Sequence, residues 1–147
     1  MQLAQRGQQL QKFGRSRGWF STKVYASTDS LGCPTRFILT GGNESDYGQA
    51  IPLIQDQNAD FILADKGYDS QTILDAIESK GAKPVIPPRN IWNTMREYDH
   101  HIYKERNAIE RMFNKLKQFR RVSSRYDKLA ISYLSFLYVA SIAIWLR

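Results

Sequence analysis

Acidic residues are missing from the first 23 positions, where five lysines and arginines stand. Cysteine is nearly missing too. Cys33 has no second thiol to pair with, and no His/Cys cluster has zinc-ligand spacing, so neither a disulfide framework nor a structural zinc site is expected. The start, Met1-Gln2-Leu3-Ala4-Gln5-Arg6, lacks the apolar stretch of a secretory signal. There is no internal repeat and no low-complexity tract. These lacks point to a cytoplasmic globular protein. A hydrophobic share of 42% and an aromatic share of 12% suit a folded chain rather than a disordered tail. At 147 residues there is room for one real core and not for two ordinary domains.

The net charge of +7 is unevenly spread. Residues 24–102 hold six Lys/Arg against eleven Asp/Glu, and residues 103–128 hold nine against three. Two basic ends flank an acidic middle. Basic ends attract phosphate backbones, although a basic run is also what an ordinary solvated face looks like.

Residues 1–18 have no sustained periodicity and read as a basic irregular arm, with one folded domain over 19–147. Trp19 to Thr28 alternates aromatic or β-branched residues with polar ones, the pattern of a strand. Turn chemistry in Asp29-Ser30-Leu31-Gly32 and a second strand from Thr35 to Thr40 complete an antiparallel hairpin. Ser45 or Asp46 is placed to cap a helix running to about Gln55. Asp60 to Ala64 is a short apolar run, as in a strand buried on both faces. Asp69 or Ser70 then caps a helix from about Gln71 to Ser79, which Gly81 closes. Val85-Ile86 is a short strand stopped by Pro87-Pro88, and residues 89–102 are polar and irregular. Long helices are expected from Tyr103 to Arg121 and from Leu129 to Leu146. The order is α/β.

Asp65 stands just past the end of a central strand, where open α/β sheets place ligands, although a turn is the plainer explanation for an Asp there. On the long helix, at 100° per residue, Ile109, Met112, Phe113, Leu116 and Phe119 share one apolar face. Tyr103, Arg106, Glu110 and Lys117 form a narrow stripe along its edge. Glu110 thus sits between core and water, where it could meet a metal ion. A surface ion pair with Arg106, worth about 0.3–0.5 kcal/mol, is the plainer explanation on an arbitrary helix.

The spacing Tyr103-x2-Arg106-x3-Glu110-x6-Lys117 resembles the signature around the last acid of DDE-type insertion-sequence transposases of the insertion sequence 4 and 5 groups. Ala64-Asp65-Lys66-Gly67-Tyr68-Asp69-Ser70 is similar to the segment bearing that family's second catalytic Asp. The likeness continues through Gly14-Arg15-Ser16-Arg17, Ser21-Thr22-Lys23, Leu39-Thr40-Gly41-Gly42, Ile86-Pro87-Pro88-Arg89 and Arg125-Tyr126-Asp127-Lys128. Each string is weak alone. In order, from about Phe13 onward, they are specific, and nearest to the insertion sequence 5 group.

The resemblance implies the C-terminal catalytic portion of such an enzyme, with a ribonuclease H-like, retroviral-integrase-like core. It implies that Asp65 and Glu110 are two of three acids holding two divalent cations, usually Mg²⁺ with Mn²⁺ as a substitute. Hard ions of this kind prefer oxygen ligands and suit in-line displacement at phosphorus. Tyr103, Arg106, Lys117, Arg120 and Arg121 would bind DNA phosphates, with Arg125 and Lys128 extending the track. Expected partners are DNA, as element ends and target, and further copies of the enzyme in an active oligomer, in a bacterial, nucleoid-associated setting.

The family's first catalytic Asp precedes the Gly-Arg-Ser-Arg segment, yet residues 1–13 contain no Asp or Glu. The expectation is therefore a core lacking its first strand: an incomplete or downstream-frame product, completed by an upstream-frame segment, or a decayed fragment. Asp29 stands in the wrong place in the fold order to substitute. Asp69 reads as a cap that could assist a metal, and His100 and His101 read as exposed rather than ligating. Trp92 and Trp145 read as core or interface residues. Two readings of other classes stand beside the enzyme. One is a non-catalytic DNA-binding regulator, which needs the basic segments but neither acid. The other is a membrane span over the uncharged run Leu129 to Leu146, at the lower limit of length for one and interrupted by Ser and Tyr.

Overall fold

The computed structural model describes residues 14–16, 19–89 and 96–146. The chain divides into two compact units, residues 1–44 with 108–147 and residues 45–107.

The first unit begins with an antiparallel meander of β1 (Gly14–Ser16), β2 (Trp19–Thr28) and β3 (Pro34–Gly41). Gly14–Ser16 lies inside the stretch expected to be irregular, and it is a strand because it pairs with Trp19–Ser21. The β2–β3 pairing sets Val24 opposite Leu39 and Ala26 opposite Phe37. The Asp29 carboxylate shapes the connecting turn, accepting from the Leu31 and Cys33 N–H groups at 3.0 and 2.8 Å. Gly32 completes it at φ 80°, a left-handed conformation that costs glycine little. Asp29 is thus a turn former.

Alternation along β3 buries Phe37 and Leu39 on one face, which three helical segments cover. They are α4 (Asn107–Lys117), the short α5 (Arg120–Ser123) and α6 (Ala130–Trp145). Helix α4 contributes Met112 and Leu116, both buried, with Ile109 and Phe113 partly covered, as the apolar stripe anticipated. Helix α6 contributes Ala130, Tyr133, Leu137, Ala140 and Ile144, at alternating three- and four-residue intervals. Two longer-range ties reinforce this packing. Trp145 Nε1 donates to the Pro34 carbonyl at 2.9 Å, and Tyr133 Oη donates to the Val122 carbonyl at 2.9 Å. No helix among the described residues is long and apolar enough to cross a membrane.

The second unit opens with α1 (Tyr47–Ile54), followed by β4 (Phe61–Leu63), α2 (Gln71–Ser79) and β5 (Lys83–Val85). Strands β4 and β5 run parallel, Phe61 opposite Lys83 and Leu63 opposite Val85, with α2 as the crossover. Ser70 caps α2 by accepting from the Ile73 N–H at 3.3 Å, and Gly81 ends it at φ 78°. Ile73, Leu74, Ile77, Ala82, Ile86 and Ala50 form the core. Strand β4 is not buried on both faces as its apolar run suggested. Phe61 is 41% exposed: among the described residues β4 pairs with β5 alone, and of this run Ile62 and Ala64 pack against this core.

The expected helix from Tyr103 to Arg121 is broken. A short helix α3 (His100–Tyr103) comes first, started by Asp99, whose Oδ1 accepts from the His101 and Ile102 N–H groups at 2.8 and 3.0 Å. A 3-10 turn, Lys104–Arg106, then precedes α4. In a 3-10 turn residues three apart eclipse, which sets the Arg106 guanidinium over the Tyr103 ring, 5.7 Å from its centroid. At the other end, Phe119 adopts an extended conformation (φ −83°, ψ 111°) and stops the helix, while its side chain packs on the core. A single 100° wheel therefore does not run through all these residues.

Leu116 is 1% exposed within the first unit's core. Leu116→Ala is expected to lower unfolding free energy by about 2–5 kcal/mol, through lost transfer energy and the cavity left behind. Urea denaturation checks this, and a loss below about 1 kcal/mol would contradict the packing described.

Candidate active site and nucleic-acid interface

Strand β4 hands the chain to a tight turn that carries Asp65. The Ala64 N–H still bonds the Val85 carbonyl at 3.4 Å, and Asp65 (φ −76°, ψ 168°) then turns the backbone into the 3-10 segment Lys66–Tyr68. Asp65 Oδ1 accepts from the Gly67 N–H at 2.7 Å, and the Asp65 carbonyl accepts from the Tyr68 N–H at 3.0 Å. The carboxylate is exposed, and one such bond fills one of its roughly four acceptor positions. Its oxygens remain able to ligate a hard cation. Glycine at position 67 matters for a local reason: a Cβ there would stand 2.6 Å from Asp65 Oδ1.

Asp69, four residues on, is neither the cap of α2 nor an open ligand. Its Oδ2 accepts from the Arg89 backbone N–H at 2.7 Å, and its Oδ1 pairs with Arg96 Nη1 at 2.9 Å. Arg96 Nη2 also donates to the Ile86 carbonyl at 2.6 Å. The Arg89 side chain reaches back to the turn itself, with Nε on the Lys66 carbonyl at 3.0 Å and Nη2 on the Gly67 carbonyl at 2.5 Å. Its guanidinium lies 4.9 Å from the centroid of the Tyr47 ring. Residues 89 and 96 stand in the stretch that reads as polar and irregular, and no periodicity there marks either one. The Ile86-Pro87-Pro88-Arg89 string was the only pointer.

Tyr103 and Arg106 also belong to the second unit, stacked on one another, with Tyr98 edge-on to Tyr103 at 5.5 Å. The first unit holds Glu110, Lys117, Arg120 and Arg121. Glu110 and Lys117 are exposed on α4, in its first and last turns respectively. Those are the ends where the helix dipole favours an acid and a base, so each stabilises the helix whatever else it does. Arg120 and Arg121 are exposed as well, and the Arg121 guanidinium lies over Phe136 at 4.4 Å.

Arg125 differs from its neighbours. Nε donates to the Asp127 carbonyl at 3.0 Å, Nη2 to the Lys128 carbonyl at 3.2 Å and Nη1 to Thr22 Oγ1, while the guanidinium covers the Tyr133 ring at 5.3 Å. Burial pulls its pKa down and pushes that of Tyr133 up. It is a clamp between β2 and the start of α6, not part of an open phosphate track. His100 and His101 are exposed, and His100 lies against Tyr98 at 4.2 Å. Among the described residues no group of three or more His, Cys, Asp or Glu is gathered as a metal site. Trp145 is half-exposed and tied to Pro34, and Trp92 lies outside the described residues.

Two outcomes are expected. Gly67→Ala displaces only the end of a flexible side chain, so stability should change by less than about 1 kcal/mol while the Asp65 carboxylate moves. Carboxylate ¹³C shifts in the variant check this, and an unmoved Asp65 signal would contradict the geometry. The Asp99 carboxyl is held below its ordinary value, first by the Ile102 N–H, with the His101 N–H and the charges of both histidines assisting. A depressed carboxyl stabilises the folded form above its unfolded pKa, and that contribution is lost as pH falls through the lowered value. The protection factors of the His101 and Ile102 amides, taken relative to their intrinsic exchange at each pH, should fall over that acidic interval, and Asp99→Asn should flatten this pH dependence.

Residues 2–146 match the Transposase DDE domain family. A Brucella ovis protein, provisionally named a transposase for insertion sequence element IS6501, is 33% identical over 129 residues, 86% of this chain and 99% of that relative. A Burkholderia cepacia protein, provisionally named a transposase for insertion sequence element IS402, is 32% identical over 128 residues, 79% of this chain. The match spans 58% of the length of the IS402 relative. No solved structure matches. A family match across nearly the whole chain, together with two relatives above 30% identity, settles its membership: the chain belongs to the transposase DDE domain family.

Proposed function

We propose that this chain acts in the cleavage and transfer of DNA strands during movement of an insertion sequence, with Asp65 and Glu110 as carboxylate ligands of divalent cations. The observation that carries the reading is Asp65 itself: an exposed carboxylate at the C-terminal end of a parallel strand, held by the Gly67 N–H. Mg²⁺ suits this donor set, and Mn²⁺ would substitute. When bound, such ions lower the pKa of an attacking water or 3′-hydroxyl and neutralise charge on the leaving oxygen. The chain's own residues orient and hold. Asp65 and Glu110 supply oxygen ligands, while Lys117, Arg106, Arg120 and Arg121 hold phosphates without reading bases, and Tyr103 positions Arg106 by stacking.

The fold that fits this role is ribonuclease H-like, with the catalytic domain expected over 19–147 extended by the strand Gly14–Ser16 that pairs into it. Residues 1–23 hold no Asp or Glu, and an upstream-frame segment is the source of the third acid that this reading calls for. The cytoplasm, at the nucleoid, is the matching location.

Calorimetric titration with Mn²⁺ and DNA-binding assays across salt concentrations test the reading. Asp65→Asn and Glu110→Gln should each weaken Mn²⁺ binding while leaving duplex binding intact. Lys117→Ala should lower the salt slope of DNA binding by about one. The 147-residue polypeptide alone is expected to give no Mg²⁺-dependent strand cleavage. Mn²⁺ binding indifferent to both acid substitutions would sink the proposal.

A further inference from the structure

The turn that carries Asp65 is gripped from behind by an arginine whose backbone is itself tied down. Arg89 donates through Nε to the Lys66 carbonyl and through Nη2 to the Gly67 carbonyl, at 3.0 and 2.5 Å. The Lys66 carbonyl and the Gly67 N–H are opposite edges of a single peptide group, which is planar and resists twisting. The Gly67 N–H is also the donor that holds Asp65 Oδ1, at 2.7 Å. Whatever fixes the Lys66 carbonyl therefore fixes the direction of the hydrogen bond to Asp65.

The anchor of Arg89 is Asp69. Its side chain is 8% exposed, and both its oxygens are used, one by the Arg89 backbone N–H at 2.7 Å and the other by Arg96 at 2.9 Å. A carboxylate so far removed from water must be paired, and charge-assisted bonds of this kind are roughly twice as strong as neutral ones. Arg96 closes the arrangement by bonding the Ile86 carbonyl at 2.6 Å, tying the latch to a residue that is fully buried. Two adjacent carbonyls at one guanidinium need its planar fork, which lysine lacks.

We propose that Arg89, locked by Asp69 and Arg96, is a positioning residue that aims the Asp65 carboxylate through the Lys66–Gly67 peptide plane. The inference rests on the reading of Asp65 as a cation ligand. Outer partners of metal ligands act in this manner, orienting a ligand they do not replace.

The test uses the 147-residue chain with Mn²⁺ as probe and two independent readouts, Gly67 amide exchange without metal and Mn²⁺ affinity by calorimetry. Arg89→Lys should speed Gly67 exchange and weaken Mn²⁺ binding by about 10–100-fold. Gly67→Ala should weaken Mn²⁺ binding too, and the double variant should lose little more than either alone, since both act through one peptide group. A general loss of structure would instead speed exchange in the core, at Ile77 and Ile86, along with Gly67. Should Arg89→Lys not fold, Arg96→Lys loosens the same anchor and carries the same expectations. Unchanged Gly67 exchange, or fully additive losses in the double variant, overturns the proposal. Mn²⁺ affinity unchanged by Asp65→Asn overturns Asp65 as a ligand, and the exchange readout alone then decides whether the latch exists.

Discussion

A short sheet with one apolar face cannot stand in water, and in the first unit that constraint organises everything else. Phe37 and Leu39 on β3 need a cover, and α4 and α6 supply it with Met112, Leu116 and Leu137. Once those side chains point inward, 3.6-residue geometry sends Glu110 and Lys117 to the solvent. The exposure of the proposed site residues is thus a by-product of core packing. The second unit meets the same demand with fewer means, setting α2 against a two-stranded parallel pair, and Asp65 emerges where β4 ends.

Polar clamps finish what the apolar cores begin. Arg125 joins β2 to the start of α6, and Arg89 joins the Asp65 turn to the chain beyond β5. Both arginines donate to backbone carbonyls, Arg125 to the Thr22 hydroxyl as well, and both cover a tyrosine ring. The two therefore do structural work in a chain whose net charge invites every arginine to be read as a phosphate binder. Charge count raises the expectation of nucleic-acid binding, yet it does not say which cations are available for it.

Several elements were legible directly. The β2–β3 hairpin followed from alternation and turn chemistry, α2 from Ser70 and Gly81, and the buried stripe of α4 from its spacing. Such signals are local, because a strand's period or a cap involves residues close in sequence. The readings that needed correction share the opposite property. How deeply β4 is buried depends on how many strands flank it. Asp69 reads as a cap until Arg89 and Arg96, 20 and 27 residues away, take both its oxygens. A continuous helix from Tyr103 missed the 3-10 turn and the extended Phe119, where packing overrides propensity.

By itself the sequence determined the family, through ordered motifs around Asp65 and Glu110, and the helices and strands whose periodicity is short-range. Tertiary structure decided which charged groups are committed. Asp69, Arg89, Arg96 and Arg125 are occupied, while Asp65 keeps acceptor capacity beyond its one bond to Gly67. The physical reason is that a hydrogen bond or ion pair between distant residues leaves no periodic trace. It exists only once apolar burial has brought its two ends within about 3 Å of each other.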